Sequence, residues 1–239
     1  MTREEQWQAW CARFDETHHG VILLFHNRAV WRTIRAMIDT NPAVRRTGFA
    51  ENWLARCYTT TQLVGMRREC DDDSGSIGLR RSLKQLASAP RMATRAWYRS
   101  ELLARTPDRT PDDLARLVTG FDEFAEPSAA FIDPRRVQAD MDRLEAALAK
   151  AETYTNKVIA HRDDVRGAAT APAPITWGEL DNALNTVGAV HRKYFKLRHA
   201  GTHLGSLTPI PQDLGWDKMF DTAWKPEGFV APDDLSFDT

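Results

Sequence analysis

The chain has 239 residues, of which 42% are hydrophobic and 27% charged, with a formal net charge of −1. These values are typical of a globular protein, and the length is enough to bury a sizeable core in one large domain or in one domain with an appended piece. Cys11, Cys57 and Cys70 form an odd set without CxxC spacing, which argues against a disulfide framework and against a zinc ribbon.

Membrane insertion and secretion are not predicted. No apolar run approaches the roughly 18–20 residues of a membrane span, and the first residues, MTREEQWQAW, lack a basic region followed by an apolar one. Together with the cysteine pattern, this indicates a cytoplasmic protein.

The first 105 residues are predicted to be helical. Apolar residues recur at steps of three and four over residues 3–16, 21–41, 49–69, 79–86 and 91–105. We expect His18, His19 and Gly20 to separate the first helix from the second. The expected core of the third helix comprises Phe49, Trp53, Leu54, Cys57, Leu63, Val64 and Met66. In the fifth helix, Trp97, Leu102 and Leu103 should face inward.

Charge is distributed unevenly along the chain. Residues 28–105 carry 15 basic and 7 acidic side chains, whereas residues 209–239 carry 2 basic and 7 acidic ones. The first stretch could form a basic surface for nucleic acid, or its charges could be spread over several faces; salt-dependent binding would distinguish the two.

Residues 71–130 are interpreted as a helical insertion between bundle helices or as a lid. The run Asp71-Asp72-Asp73 could bind a divalent cation, but consecutive side chains point in different directions, which favours a helix end. Thr110 followed by Pro111 and two acidic residues predicts a helix start, with a short helix over 114–124.

A long helix is predicted to begin at Asp133, an N-cap residue, followed by Pro134 at the first helical position. Its apolar stripe has a period near 3.6 residues and comprises Val137, Met141, Leu144, Leu148 and Ala151.

The end of this helix carries a cluster of polar residues: Tyr154, Asn156, Lys157, His161, Arg162 and Asp163. On an α-helix, Lys157 and His161 share a face, with Tyr154 one turn earlier. An imidazole beside an ammonium group can transfer protons near neutral pH while the cation stabilises negative charge, as phosphodiester cleavage by an RNA 2′-hydroxyl requires. Alternatively, His161 and Arg162 interact with the negative end of the helix dipole and Lys157 is solvated surface.

Arg28 could supply a further cation from another helix, or could lie on an outer face.

The segment Tyr154-Thr155-Asn156-Lys157-Val158-Ile159-Ala160-His161-Arg162-Asp163 resembles the signature of HEPN domains, especially the AbiU-type abortive-infection branch. In that branch a Tyr-Arg-Asn-Lys…Ala-His-Arg-Asp pattern recurs. Asn156 and His161 occupy matching positions, whereas Thr155 stands where the family has an arginine. Lys157 is the nearest cationic substitute for that arginine.

The resemblance implies an all-α bundle, commonly dimeric, and in many members a metal-independent endoribonuclease of toxin–antitoxin, phage-defence or RNA-processing systems. His161 would be the general acid or base, Asn156 would position the motif, and Lys157 would stabilise negative charge, with Arg162, Asp163, Tyr154 and Arg28 in support. No cofactor or metal is implied. A homodimer, RNA and an antitoxin are the expected partners.

Two alternatives follow from the same residues. Thr155 favours a non-catalytic HEPN module that binds RNA or a protein. A helical assembly protein without nucleic-acid contact is the third interpretation, and binding to RNA that does not change with salt would favour it.

The last bundle helix is predicted to open at a capping box formed by Thr176 and Glu179. Its apolar stripe comprises Leu180, Leu184, Val187, Val190, Tyr194 and Leu197, with His191, Arg192 and Lys193 expected on another face. His199 and His203 have the i, i+4 spacing of metal ligands, but no carboxylate or cysteine accompanies them.

The fold is therefore predicted to be an all-α bundle of four to five long helices with short helical insertions and a C-terminal arm. The bundle would span residues 1–204. Residues 205–239 are acidic yet rich in aromatic side chains, which disordered linkers lack. This arm is expected to pack on the bundle or on a partner subunit.

Overall fold

The structure, a computed structural model, describes residues 1–40, 48–71, 73, 75–160, 173–201 and 207; for residues 49, 50 and 158–160 it describes the backbone alone. All of them belong to one compact unit, Met1–Thr208. Apart from Leu207, the predicted C-terminal arm lies outside the described residues.

The predicted all-α fold is confirmed. The described residues form seven α-helices and no strand: α1 Arg3–Thr40, α2 Phe49–Cys70, α3 Leu79–Ser88, α4 Arg95–Arg105, α5 Pro111–Val118, α6 Pro134–Tyr154 and α7 Trp177–Arg198. Short 3₁₀ segments follow α3 at Pro90–Met92 and α5 at Thr119–Glu123, and a π-helical segment follows α6 at Thr155–Ala160. None of the described helices is long and apolar enough to cross a lipid bilayer.

The predicted break at His18 to Gly20 is wrong, because α1 continues through it as one 38-residue helix. Gly20 is buried, and a Cβ built there would lie 2.2 Å from Nη2 of Arg68 on α2. A glycine inside a helix can thus mark a close approach by a neighbouring helix, although it lowers helix propensity.

Helix termini follow the capping signals. The side chain of Asp133 accepts a hydrogen bond from the backbone of Arg135 at the start of α6. The side chain of Thr110 accepts one from the backbone of Asp113 at the start of α5. Thr176 and Glu179 form the complete capping box of α7. These side chains satisfy backbone N–H groups that have no partner within the helix.

The core is built where α1, α2, α3, α6 and α7 pack together. The predicted stripes of α6 and α7 are buried as expected. α3 contributes Leu79, Leu83 and Leu86 to the same core, each fully buried. Burial of such side chains stabilises the fold by roughly 1.5–3 kcal/mol each.

Four expected core residues lie at the surface instead. Trp53 is 57% exposed, and Cys57, Val64 and Leu103 are exposed as well. The helical period had placed them beside buried residues, but α2 and α4 turn these positions away from the neighbouring helices.

Candidate functional site

The segment that carries the HEPN-like motif begins where α6 ends. The α-helix stops at Tyr154, and Thr155–Ala160 form a π-helical segment. Its hydrogen bonds span five residues rather than four, so the α-helical period used to place Lys157, His161 and Tyr154 on one face does not apply there. Such segments occur frequently at functional sites. His161, Arg162 and Asp163 lie outside the described residues.

Thr155, at the position of the family's arginine, points into the protein. It is 2% exposed, and its hydroxyl donates a hydrogen bond to the backbone carbonyl of Ala151 at 2.7 Å. A side chain in this environment cannot contact a phosphate group in solvent. Restoring an arginine here would bury a guanidinium group and overpack the site.

The next two residues, Asn156 and Lys157, differ in their exposure to solvent. Asn156 is half-buried, and its Oδ1 atom is shielded from solvent without a hydrogen-bond partner among the described residues. Buried acceptors of this kind usually bind a polar group or an ordered water. Lys157 is exposed. The amide is therefore available to a partner, while the ammonium group is solvated.

Tyr154 contributes to the lining of an open groove along α2. The groove has a volume of about 730 Å³, and the described residues that line it are Asn52, Ala55, Arg56, Thr59, Thr60, Leu63 and Tyr154. Arg56 is exposed and has no ion-pair partner among the described residues. The described lining thus contains one cation, three hydroxyl groups, one amide and no carboxylate. An anionic ligand fits this chemistry better than a cationic one.

Arg28 is buried and its polar contacts are with α7. It is 7% exposed, donates a hydrogen bond to Oδ1 of Asn185 at 2.7 Å, and lies 3.8 Å from Oδ1 of Asp181 on α7. Its guanidinium group also lies 4.5 Å from the centre of the Phe25 ring. Burial is the main cause that lowers the pKa of Arg28, with Arg32 adding to it. No described contact brings it to Tyr154, Asn156 or Lys157, and its polar contacts join α1 to α7.

A pair of contacting histidines was not predicted from the sequence. His191 was expected on another face of α7 but is fully buried, with Nε2 3.1 Å from Nδ1 of His18 on α1. Both rings stack in a row of aromatic side chains that includes Phe14 and Phe195. The signal was present in the sequence, because His191 lies four residues after Val187 and three before Tyr194, both on the buried stripe.

Burial lowers the pKa of His191 to about 3, with smaller contributions from His18 and Arg192. The pKa of His18 is also lowered, mainly by burial and then by His19. Both imidazoles are therefore neutral near pH 7, and one N–H of the pair can serve the contact between them.

Burial shifts the pKa of Glu69 upward, whereas it shifts that of His191 downward. Oε2 of Glu69 accepts a hydrogen bond from the backbone N–H of Leu79 at 3.0 Å, at the start of α3. Burial raises its pKa from 4.5 to about 7, although Arg68 lowers it. Its contribution to stability is therefore full below pH 4.5 and is lost as the pH rises through 7.

His191 should make folding less favourable in acid. Because its pKa falls from 6.5 to about 3 on folding, its contribution is full above pH 6.5 and is lost as the pH falls towards 3. Between pH 7 and pH 5 this amounts to about 2 kcal/mol. Glu69 changes stability in the opposite direction over the same pH range, so the effect of His191 is isolated by comparing urea unfolding of His191→Phe with that of the unchanged protein. From pH 7 to pH 5, the unfolding free energy of the variant should rise by about 2 kcal/mol relative to that of the unchanged protein.

The control for this measurement is His19→Gln, at an exposed position on α1. It should leave the pH dependence nearly unchanged. A free-energy difference for His191→Phe that is constant from pH 7 to pH 5 would contradict the burial of a neutral imidazole.

Metal coordination gains no support from the described residues, among which no group of three His, Cys, Asp or Glu side chains could hold a metal ion. Two metal sites were considered from the sequence: the pair His199 and His203, and the run Asp71 to Asp73. His203 and Asp72 lie outside the described residues. His199 packs against the ring of Phe195, with 4.2 Å between ring centres.

Comparisons with known proteins yield no relative: no protein-family model, no curated protein and no solved structure matches this chain. The resemblance to HEPN domains therefore rests on the motif residues alone.

Proposed function

We propose that the protein acts on RNA as a metal-independent endoribonuclease of the HEPN type, working as a homodimer in a prokaryotic toxin–antitoxin or phage-defence system. It would act in the cytoplasm, held inactive by an antitoxin or another protein partner. The α2 groove beside the motif is the observation that carries the proposal. Tyr154 contributes to its lining, and the motif continues directly from Tyr154 to His161.

The proposed chemistry needs two proton transfers. A base removes the proton from a 2′-hydroxyl, the oxygen attacks the adjacent phosphorus, the P–O5′ bond breaks, and an acid protonates the departing O5′. His161 supplies one of these groups. A two-fold interface would bring the second His161 from the other protomer. Lys157 and Arg56 stabilise the charge that develops on the phosphoryl oxygens.

A second candidate function is a non-catalytic RNA-binding HEPN module. The buried environment of Thr155 favours it, because the position of the family's arginine offers no cation to a phosphate. In this case the groove would bind RNA without cleaving it. The two functions predict different results for RNA cleavage and the same result for RNA binding.

The groove is tested by Arg56→Ala. Purified protein is mixed with structured RNA in the presence of EDTA, and cleavage and binding are measured together. The variant should bind RNA more weakly, and the slope of log affinity against log salt should decrease by about 1, because one phosphate contact is removed. Cleavage should fall by at least the same factor as binding.

Arg67→Ala is the matched control, since Arg67 is also exposed on α2 but lies about three turns beyond Arg56 and outside the lining. Equal binding and salt dependence in both variants would exclude the groove as the RNA site. Binding without cleavage by the unchanged protein would support the non-catalytic module instead.

A further inference from the structure

Three aromatic rings from three helices meet at a second cavity. Trp31 of α1, Tyr58 of α2 and Trp177, the first residue of α7, have ring centres 5.3–5.8 Å apart and planes within 21° of one another. The cavity beside them has a volume of about 230 Å³ and is also lined by Arg32, Arg35 and Asp181.

The three rings differ in exposure. Trp31 and Tyr58 are buried, as expected where helices pack, but Trp177 is 48% exposed. The two buried rings hold Trp177 in place, since near-parallel rings at these distances attract one another. Packing of the core accounts for Trp31 and Tyr58 but leaves about half of the Trp177 surface available. A fixed and exposed indole face is what a stacking ligand requires.

Each arginine at the rim is paired with a carboxylate. Arg32 donates to Oδ2 of Asp181 at 2.7 Å, and Arg35 donates to Asp39 at 3.1 Å and pairs with Glu51 at 2.6 Å. Arginines that are already paired with carboxylates attract anions weakly, so phosphate attraction is not the main source of affinity. The recognised group should be planar, uncharged and able to form hydrogen bonds at its edge.

Polar groups at the rim suit such an edge. Asp181 is partly exposed and accepts hydrogen bonds, while Arg32 and Arg35 have long exposed side chains that can lie over a planar ring. The phenol of Tyr58 is protonated near neutral pH and can donate a hydrogen bond; burial raises its pKa further, to about 12, with Asp181 adding to the shift.

We propose that Trp177, supported by Trp31 and Tyr58, binds an unpaired nucleobase of single-stranded RNA, with the Asp181 carboxylate accepting a hydrogen bond from the edge of the base. This inference rests on the proposed function, whose substrate it narrows to RNA that carries an unstacked base. Unpaired bases are commonly recognised by aromatic stacking and by hydrogen bonds to their edges.

The test uses the full chain with His161→Ala, so that bound RNA is not cleaved. Binding of a fluorescein-labelled single-stranded RNA 12-mer and of the matching duplex is measured by anisotropy. Adding Trp177→Ala should weaken single-strand binding by about 5- to 150-fold, because one stacked base is lost. Trp177→Phe should retain most of the affinity. The salt dependence should not change, since stacking neutralises no phosphate.

Trp53→Ala is the control, because Trp53 is a tryptophan of α2 with 57% exposure that does not line this cavity. Equal single-strand affinity in Trp177→Ala and Trp53→Ala would overturn the inference, and so would a preference for duplex that Trp177→Ala leaves unchanged.

The experiment separates this inference from the proposed function. Binding that depends on Trp177, together with no cleavage by the unchanged protein, supports the stacking site and removes the nuclease assignment. Cleavage by the unchanged protein, together with binding that Trp177→Ala does not change, supports the nuclease assignment and overturns the stacking site. Absence of single-stranded RNA binding by the full chain overturns the stacking site directly, and a protein ligand bound through Trp177 in its place would assign this surface to a partner.

Discussion

Replacing His161 with alanine should lower the rate of RNA cleavage by about 100- to 10,000-fold, the usual contribution of a positioned general acid or base. The imidazole is the motif's one group that titrates near neutral pH, so neither Lys157 nor Asn156 can replace it in proton transfer. Initial rates on structured RNA in EDTA provide the measurement. A rate that depends on pH near the imidazole pKa should become flat in the variant.

Two controls make this result specific. His19→Ala changes an exposed histidine on α1 and should cleave at the unchanged rate. RNA binding by His161→Ala should stay within a few-fold of the unchanged protein, because the neutral imidazole adds little to binding. If His161→Ala cleaves as fast as His19→Ala, the observed cleavage comes from a contaminating nuclease or from other residues, and the catalytic assignment is removed.

Replacing Trp10 with alanine should lower the free energy of unfolding by about 3–5 kcal/mol, the range measured when large aromatic residues are truncated in cores. Trp10 is fully buried, with its ring centre 4.9 Å from Trp7 and 5.0 Å from Phe14. Its indole N–H donates to the backbone carbonyl of Ser82 at 2.9 Å and so joins α1 to α3. Urea unfolding followed by circular dichroism provides the measurement.

Trp53→Ala is the comparison, since an exposed position should change stability by no more than about 0.5 kcal/mol. Trp10→Phe should fall between the two, because it keeps ring packing but loses the hydrogen bond to Ser82. Similar losses for Trp10→Ala and Trp53→Ala would contradict the burial of Trp10 between α1 and α3.

The helical class, the helix starts and the buried stripes could be predicted from the amino-acid sequence. Asp133, Thr110 and the Thr176–Glu179 pair act within one turn of the backbone they cap, so their effect is local and can be read from spacing. The stripes of α6 and α7 could be predicted for a related reason: an apolar face on a period near 3.6 residues must be covered by some other element, whichever that is. The polar cluster from Tyr154 to Asp163 was equally visible as a cluster.

The neighbours of each of these positions could not be predicted, because they depend on tertiary packing. Periodicity cannot distinguish the buried Trp10 from the exposed Trp53, because the difference lies in whether another helix covers that part of the face. The same is true of His191, whose partner His18 is 173 residues away in sequence. The Trp31–Tyr58–Trp177 cluster joins three helices in the same way. Contacts between distant segments depend on how whole helices pack, and spacing within one helix carries no information about them.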